Sequence, residues 1–268
     1  TQNMLFADIL ERIQALLRGY GEEAVFCYLD EDANEVTYAI QLCRERQPRG
    51  ILFLGGDLSF FQEYFHQITI PCVLLTNTAQ ELKFENLSSV TTDDCAASDQ
   101  VVEYLISKGH SKIGVLGGNM SSTQISYRRI VGCQQAFQRH RIPFNVQKQC
   151  EPCRYSMQEG YDSAKRLLMR NPDLTAIFAI SDVIAIGAMR ALHDLGRSVP
   201  KDISLVGFDG IDLSQYCIPS LTTIHQNSEQ LAKKGVEILM QRIHYSHAST
   251  HKEIPFELVE RESVCQIS

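Results

Sequence analysis

Short apolar runs alternate with amphipathic stretches along most of this chain, and that alternation restricts the folds open to it more than any other feature. Residues 24–29, 51–54, 72–75, 113–116, 176–180 and 204–207 are short, largely apolar runs, as expected for strands covered on both faces. Between them, apolar spacings of three and four predict helices over 5–17, 36–46, 60–68, 94–108, 125–140, 157–170 and 182–195. A strand, a crossover helix and a parallel strand form the repeating unit of a doubly wound sheet. The series starts afresh after Gly117-Gly118, so two α/β lobes are expected. A further strand at 222–224, a helix at 228–243 and a strand at 256–259 follow the second series, so the chain is expected to cross between lobes more than once.

Composition narrows the function. Lys and Arg number 25 against 32 Asp and Glu, a net charge of −7. With no basic run longer than Lys233-Lys234 or Arg128-Arg129, this polypeptide alone is not expected to grip nucleic acid. No stretch has the roughly 18 apolar residues that span a bilayer, and no basic segment leads into an apolar core at the start, which points to an unexported, cytoplasmic protein. Nine scattered cysteines are an odd number and suit buried thiols in a reducing compartment. Cys150 and Cys153 form a single CxxC without further ligands, so no metal is expected. His244, His247 and His251 lie in a polar stretch that reads as a solvated linker.

Open parallel sheets bind ligands where their strands end. The residues following the strands are Gly55, Gly56 and Asp57; Thr76 and Asn77; Thr92, Asp93 and Asp94; Gly117, Gly118 and Asn119; Ser181 and Asp182; and Phe208, Asp209 and Gly210. Hydroxyls, amides and carboxylates of this kind suit a small polar molecule, and sugar hydroxyls fit them well. Asp94, and Ser181 or Asp182, are also expected to cap helices. The glycine pairs belong to neither GxGxxG nor GxxxxGK[ST], which sets nucleotide binding aside. GxSxG is absent, His110 has no evident carboxylate orienter, and Asp93-Asp94, adjacent on a strand, would point to opposite faces. The chain offers a recognition site without a reaction centre: no enzyme and no cofactor are expected.

Six strings then occur in order: Gly-His-Ser-Lys-Ile at 109–113, Tyr-Arg-Arg-Ile-Val-Gly-Cys at 127–133, Ser-Asp-Val-Ile-Ala-Ile-Gly-Ala-Met at 181–189, Val-Pro-Lys-Asp-Ile-Ser-Leu-Val-Gly-Phe-Asp-Gly at 199–210, Ile-Pro-Ser-Leu-Thr-Thr-Ile at 218–224 and Leu-Val-Glu-Arg-Glu-Ser at 258–263. Together they resemble the ligand-sensing core of the lactose and galactose repressor family over nearly the whole chain. The resemblance implies a periplasmic-binding-protein-like type I core of two Rossmann-like lobes with three crossings and an effector in the cleft. The lobes are expected at 1–116 plus 228–247 and at 117–227 plus 248–268. The family's N-terminal helix-turn-helix and hinge helix are not expected within this sequence.

Carried over position by position, the resemblance implies effector contacts from Arg129, Asp209, Tyr155, Ser181, Asp182, Gln226 and Phe6. Asp94, where the family usually has Asn, would place a second carboxylate near the cleft mouth and favour a polyhydroxy or cationic effector over an anion. A homodimer contact is expected at Phe60, Phe61, Tyr64 and Phe65 on one helix, and at Leu213, Tyr216 and Ile218. The implied function is the effector-binding and dimerisation core of a bacterial transcription regulator that reaches operator DNA only through a separate head. The alternative is a periplasmic sugar-binding protein of a transporter, which would be exported and monomeric.

Overall fold

The computed structural model describes residues 4–118, 121, 123–245 and 248–267. They form two units. Unit 1 comprises Phe6–Thr92 with Asn227–Pro255, and unit 2 comprises Asp93–Gln226 with the tail from Phe256. The chain passes from one to the other after Thr92, after Gln226 and after Pro255.

Unit 1 holds α1 (Met4–Gly19, from Phe6 onward), α2 (Glu35–Arg46), β1 (Ile51–Leu54), α3 (Leu58–Tyr64), β2 (Cys72–Leu75) and β3 (Leu87–Thr91). The returning segment adds α9 (Ser228–Tyr245) and β9 (His251–Glu253). Its four strands run parallel in the order β1-β2-β3-β9, and α9 packs against β1, β2 and β3. Asn34 and Asp57 start α2 and α3 by accepting backbone N–H groups that the first helical turn cannot use.

Four expectations change here. Residues 24–29 form no strand: Val25 and Tyr28 are 69% and 65% exposed, and no described segment pairs with this backbone. An apolar run becomes a strand only where a neighbour completes its ladder. The helix expected at 60–68 stops at Tyr64 and tightens into a 3-10 turn over Phe65–Gln67. Phe61 and Phe65 are fully buried in a core with Phe53, where Phe53 and Phe61 meet edge to face at 5.0 Å, so they are unavailable for a dimer contact. Phe60 and Tyr64 are half-buried. Finally, the polar histidine stretch ends in β9, where His251 Nδ1 lies 2.8 Å from Ser89 Oγ on β3. His247 and Asn119 lie outside the described residues.

Unit 2 is built on α4 (Asp94–Ser107), β4 (Ile113–Leu116), α5 (Ile125–Arg139), α6 (Val146–Gln149), β5 (Cys150–Glu151), α7 (Met157–Arg170), β6 (Ala176–Ala179), α8 (Asp182–Asp194), β7 (Ser204–Asp209), β8 (Thr222–Gln226) and β10 (Phe256–Val259). The sheet order is β10-β8-β7-β6-β4-β5, parallel except where β10 runs against β8. Every residue of β4, β6 and β7 is buried, matching the apolar runs at their centres, although β7 begins with Ser204 and ends with Asp209.

β4 pairs with β6 inside this sheet, so the boundary falls between Thr92 and Asp93 and not at 116/117. The later crossing follows Pro255 instead of residue 247. Gly117-Gly118 turns the chain at the end of β4, and a strand-end turn looks the same in sequence whether or not a lobe begins there. Helices α4 and α5 touch through Gly132, where a Cβ would stand 2.1 Å from the Cys95 carbonyl oxygen. That closeness brings Asp94 on one helix within reach of Arg129 on the other.

Candidate functional site

Because β6, β7 and β8 are parallel, their carboxyl ends share one edge of the sheet, and Ser181, Asp209 and Gln226 stand there side by side, all buried. Asp209 links them. Its Oδ2 accepts from Ser181 Oγ at 2.6 Å and its Oδ1 from Gln226 Nε2 at 2.9 Å. Asp209 has φ of +120°, a conformation that costs a non-glycine residue on the order of 1–3 kcal/mol and persists only when neighbours enforce it.

Asp182 is the neighbour that enforces it. Its Oδ2 accepts the backbone N–H groups of Gly210 and Ile211, both at 2.9 Å, and its Oδ1 accepts from Thr223 Oγ1 at 2.6 Å. A Cβ at Gly207 would lie 2.1 Å from Asp182 Oδ1, so only glycine admits this carboxylate. With both oxygens committed to the turn after β7, Asp182 holds Asp209 in place.

Arg129 enters from α5. Its Nε donates to Asp94 Oδ1 at 2.7 Å, its Nη1 donates to the Ile180 carbonyl, and Nη1 lies 3.9 Å from Asp209 Oδ1. The guanidinium carbon is 3.7 Å from the centroid of the Phe208 ring, a cation–π contact. The Arg129 and Asp94 side chains are 5% and 1% exposed. Burial opposes the Arg129 charge, but Asp94, Tyr155 and Asp209 outweigh it and the guanidinium is held above its ordinary pKa.

Two carboxyl groups, those of Asp94 and Asp209, therefore flank one guanidinium, and a third, Asp182, supports the turn that carries Asp209. Burial drives all three upward: Asp182 to about 8, helped by the charge of Asp209, Asp209 to about 6, and Asp94 in the same direction although Arg129 pulls it back. The cluster is short of positive charge. It suits hydroxyl groups, which both donate and accept, better than it suits an anion.

The structure thus brings Arg129, Asp94, Asp209, Ser181, Asp182 and Gln226 into one network within unit 2. Tyr155, half-buried before α7, is close enough for its phenol to influence Arg129. Phe6 belongs to unit 1, where its ring covers Gly55. Asp94 is buried in its ion pair instead of standing near an opening, and it lies in the first turn of a helix, not on a strand. Asp93 supplies the cap of α4, accepting from Cys95 N and Ala96 N. Ser181 occupies the cap position of α8 but makes no side-chain cap bond.

Sequence reading placed Phe208 among the strand-end residues without giving it a role, and it missed Thr223. Both sit inside quoted strings, where an apolar ring and a threonine in a strand read as core. Cys150 and Cys153 are thiols pushed up by burial to about 12 and about 11, and no group of three or more candidate metal ligands converges among the described residues. His110 is buried between Thr175 Oγ1 at 3.0 Å and the Cys265 carbonyl at 3.1 Å, a structural role. No described helix is long and apolar enough to cross a membrane.

Two α/β units, one carrying a polar network at parallel strand ends, define a ligand-binding domain, and residues 102–264 match the family described as periplasmic binding protein-like domain. The chain is 34% identical to the HTH-type transcriptional regulator MalR of Clostridium butyricum over 235 residues, covering 87% of this chain and 70% of that protein. It is 28% identical over 243 residues to the ribose operon repressor of Haemophilus influenzae, with coverage of 91% and 72%. A solved structure of a LacI family transcriptional regulator from Enterococcus faecium with bound ribose superposes with a TM-score of 0.85 at 25% identity, covering 100% of this chain and 97% of that one. The chain belongs to the lactose and galactose repressor (LacI) family of transcription regulators and is its effector-binding core.

Proposed function

We propose that this core senses an uncharged, hydroxyl-rich metabolite, a sugar or sugar derivative, and that the cluster at the strand ends of unit 2 holds it. The observation that carries this reading is the buried network of Arg129, Asp94, Asp209, Ser181 and Gln226. It offers paired donors and acceptors with no surplus positive charge. The ribose in the Enterococcus faecium structure and the ribose operon repressor of Haemophilus influenzae support the chemical class.

In this reading the protein works as a cytoplasmic homodimer, and a DNA-binding head reads the effector as a change in operator affinity. The coupling can be no larger than the effector's preference for one state over the other, typically about 1–3 kcal/mol. The relatives' names as regulators and repressors weigh against the transporter alternative and against an enzyme.

A thermal-shift screen of neutral mono- and disaccharides against sugar phosphates, nucleosides and amino acids tests the proposal. A neutral sugar is expected to give the largest shift, and Arg129→Ala and Asp209→Ala are expected to abolish it. A hit whose shift survives both substitutions overturns the site.

A further inference from the structure

A guanidinium is ordinarily the side chain that binds anions, because its planar fork of donors matches phosphate and carboxylate oxygens. In this protein the fork is already engaged. Nε is taken by Asp94 at 2.7 Å, Nη1 by the Ile180 carbonyl with Asp209 at 3.9 Å, and the Phe208 ring covers one face. Nη2 has no protein acceptor among the described residues, and Asp94 Oδ2 accepts no hydrogen bond from them. The pair thus retains one donor and one acceptor. A hydroxyl satisfies both at once, whereas a phosphate oxygen satisfies only the donor and meets the charges of Asp94 and Asp209.

We propose that Asp94 sets the charge selectivity of this site: by neutralising Arg129 it rejects phosphorylated and carboxylated metabolites and admits hydroxyl-bearing uncharged ones. The inference rests on the reading of the strand-end cluster as the effector site and names the residue that decides its ligand class. Asp94 acts in this role in two ways: its charge offsets that of Arg129, and its Oδ2 remains to accept from a ligand hydroxyl. The arrangement is local and buried, with both side chains at most 5% exposed, so solvent and salt screen it little.

The test titrates inorganic phosphate against sodium chloride of equal ionic strength and follows the thermal midpoint of wild type, Asp94→Asn, Asp94→Glu and the double variant Asp94→Asn/Arg129→Gln. In Asp94→Asn the phosphate response is expected at a concentration about tenfold or more below any wild-type response, since one unscreened charge is removed beside the guanidinium. Asp94→Glu is expected to restore wild-type behaviour, and the double variant to lose the gain.

A folded Asp94→Asn protein with a wild-type phosphate response overturns the proposal, as does an equal gain in Asp94→Glu. Should Asp94→Asn not fold in chloride, Asp94→Ser takes the same titration, and failure of phosphate to stabilise or refold either variant also overturns it. The neutral-sugar screen on wild type reads separately: no sugar hit alongside a phosphate gain in Asp94→Asn sinks the effector reading and leaves the selectivity of Asp94 standing.

Discussion

Ser181 Oγ donates to Asp209 Oδ2 at 2.6 Å, so the hydroxyl at the head of α8 serves the carboxylate at the end of β7 and not the helix it precedes. The two residues are buried. Ser181→Ala is expected to cost about 1–3 kcal/mol, because it leaves a buried acceptor unsatisfied. Ser181→Asp discriminates further. At an ordinary cap position aspartate is as good as serine, but here it faces Asp209 and is expected to destabilise more than alanine does. Urea denaturation of the two variants checks the order.

Stability is expected to fall as pH rises from 3.8 to about 8, through both Asp209 and Asp182 up to about 6 and through Asp182 alone above it. The folded-state values of Asp209 and Asp182, about 6 and about 8, lie above the ordinary value of 3.8. Between 3.8 and those values the folded protein holds protons that the unfolded chain has released, so unfolding gives them up and alkalinity favours it. Each such group contributes at most about 1.4 kcal/mol per pH unit. Asp182→Asn is expected to flatten the upper part of this profile: its amide oxygen can accept from Gly210 and Ile211 while its nitrogen donates to Thr223. Urea midpoints at pH 5.5, 7 and 8.5, experimental settings of about that spacing, decide the matter; a wild-type midpoint that rises across this range contradicts it.

Gly132→Ala is expected to impair the effector site without touching it. The new Cβ would meet the Cys95 carbonyl oxygen at 2.1 Å and force α5 away from α4. Overpacking of this kind costs typically about 1–3 kcal/mol. The same displacement lengthens the Arg129–Asp94 contact, so effector affinity is expected to fall with stability. Calorimetric titration with the strongest ligand from the screen measures it, and unaltered affinity in a destabilised protein would separate the helix contact from the site.

Tyr216 and Ile218 are 75% and 94% exposed, with half-buried Leu213 nearby in sequence. Large apolar side chains this open are what a two-fold contact would cover. Ile218→Glu is expected to shift the protein toward monomer in sedimentation velocity at micromolar concentration. An unchanged sedimentation coefficient would move the dimer contact elsewhere.

Much of this architecture is legible before any coordinates. The apolar runs that became β4, β6 and β7 announce themselves because a strand buried on both faces leaves no polar alternation. β5 and β9 do not, since two or three residues carry no period. Residues 24–29 mislead for the opposite reason: apolar character is local, whereas pairing depends on a distant neighbour. In the site, Arg129 and Asp209 stand in recognisable strings. The partner of Arg129 could not be read, because Asp93 and Asp94 look equivalent in sequence and only the helix start at Asp94 sends one to the cap and the other to the guanidinium. Phe61 and Phe65 look like surplus aromatics until the Phe53 ring is found beside them.

The return of α9 to the sheet of unit 1 has a consequence during synthesis. β1, β2 and β3 leave the ribosome early, but the helix that packs against them is encoded only after all of Asp93–Gln226. At about 5–20 residues per second that interval is on the order of ten seconds. For that time the nascent sheet presents an uncovered greasy face, a natural client for a holdase, and since β10 of unit 2 follows Pro255, neither unit is complete until the last segment of the chain has emerged.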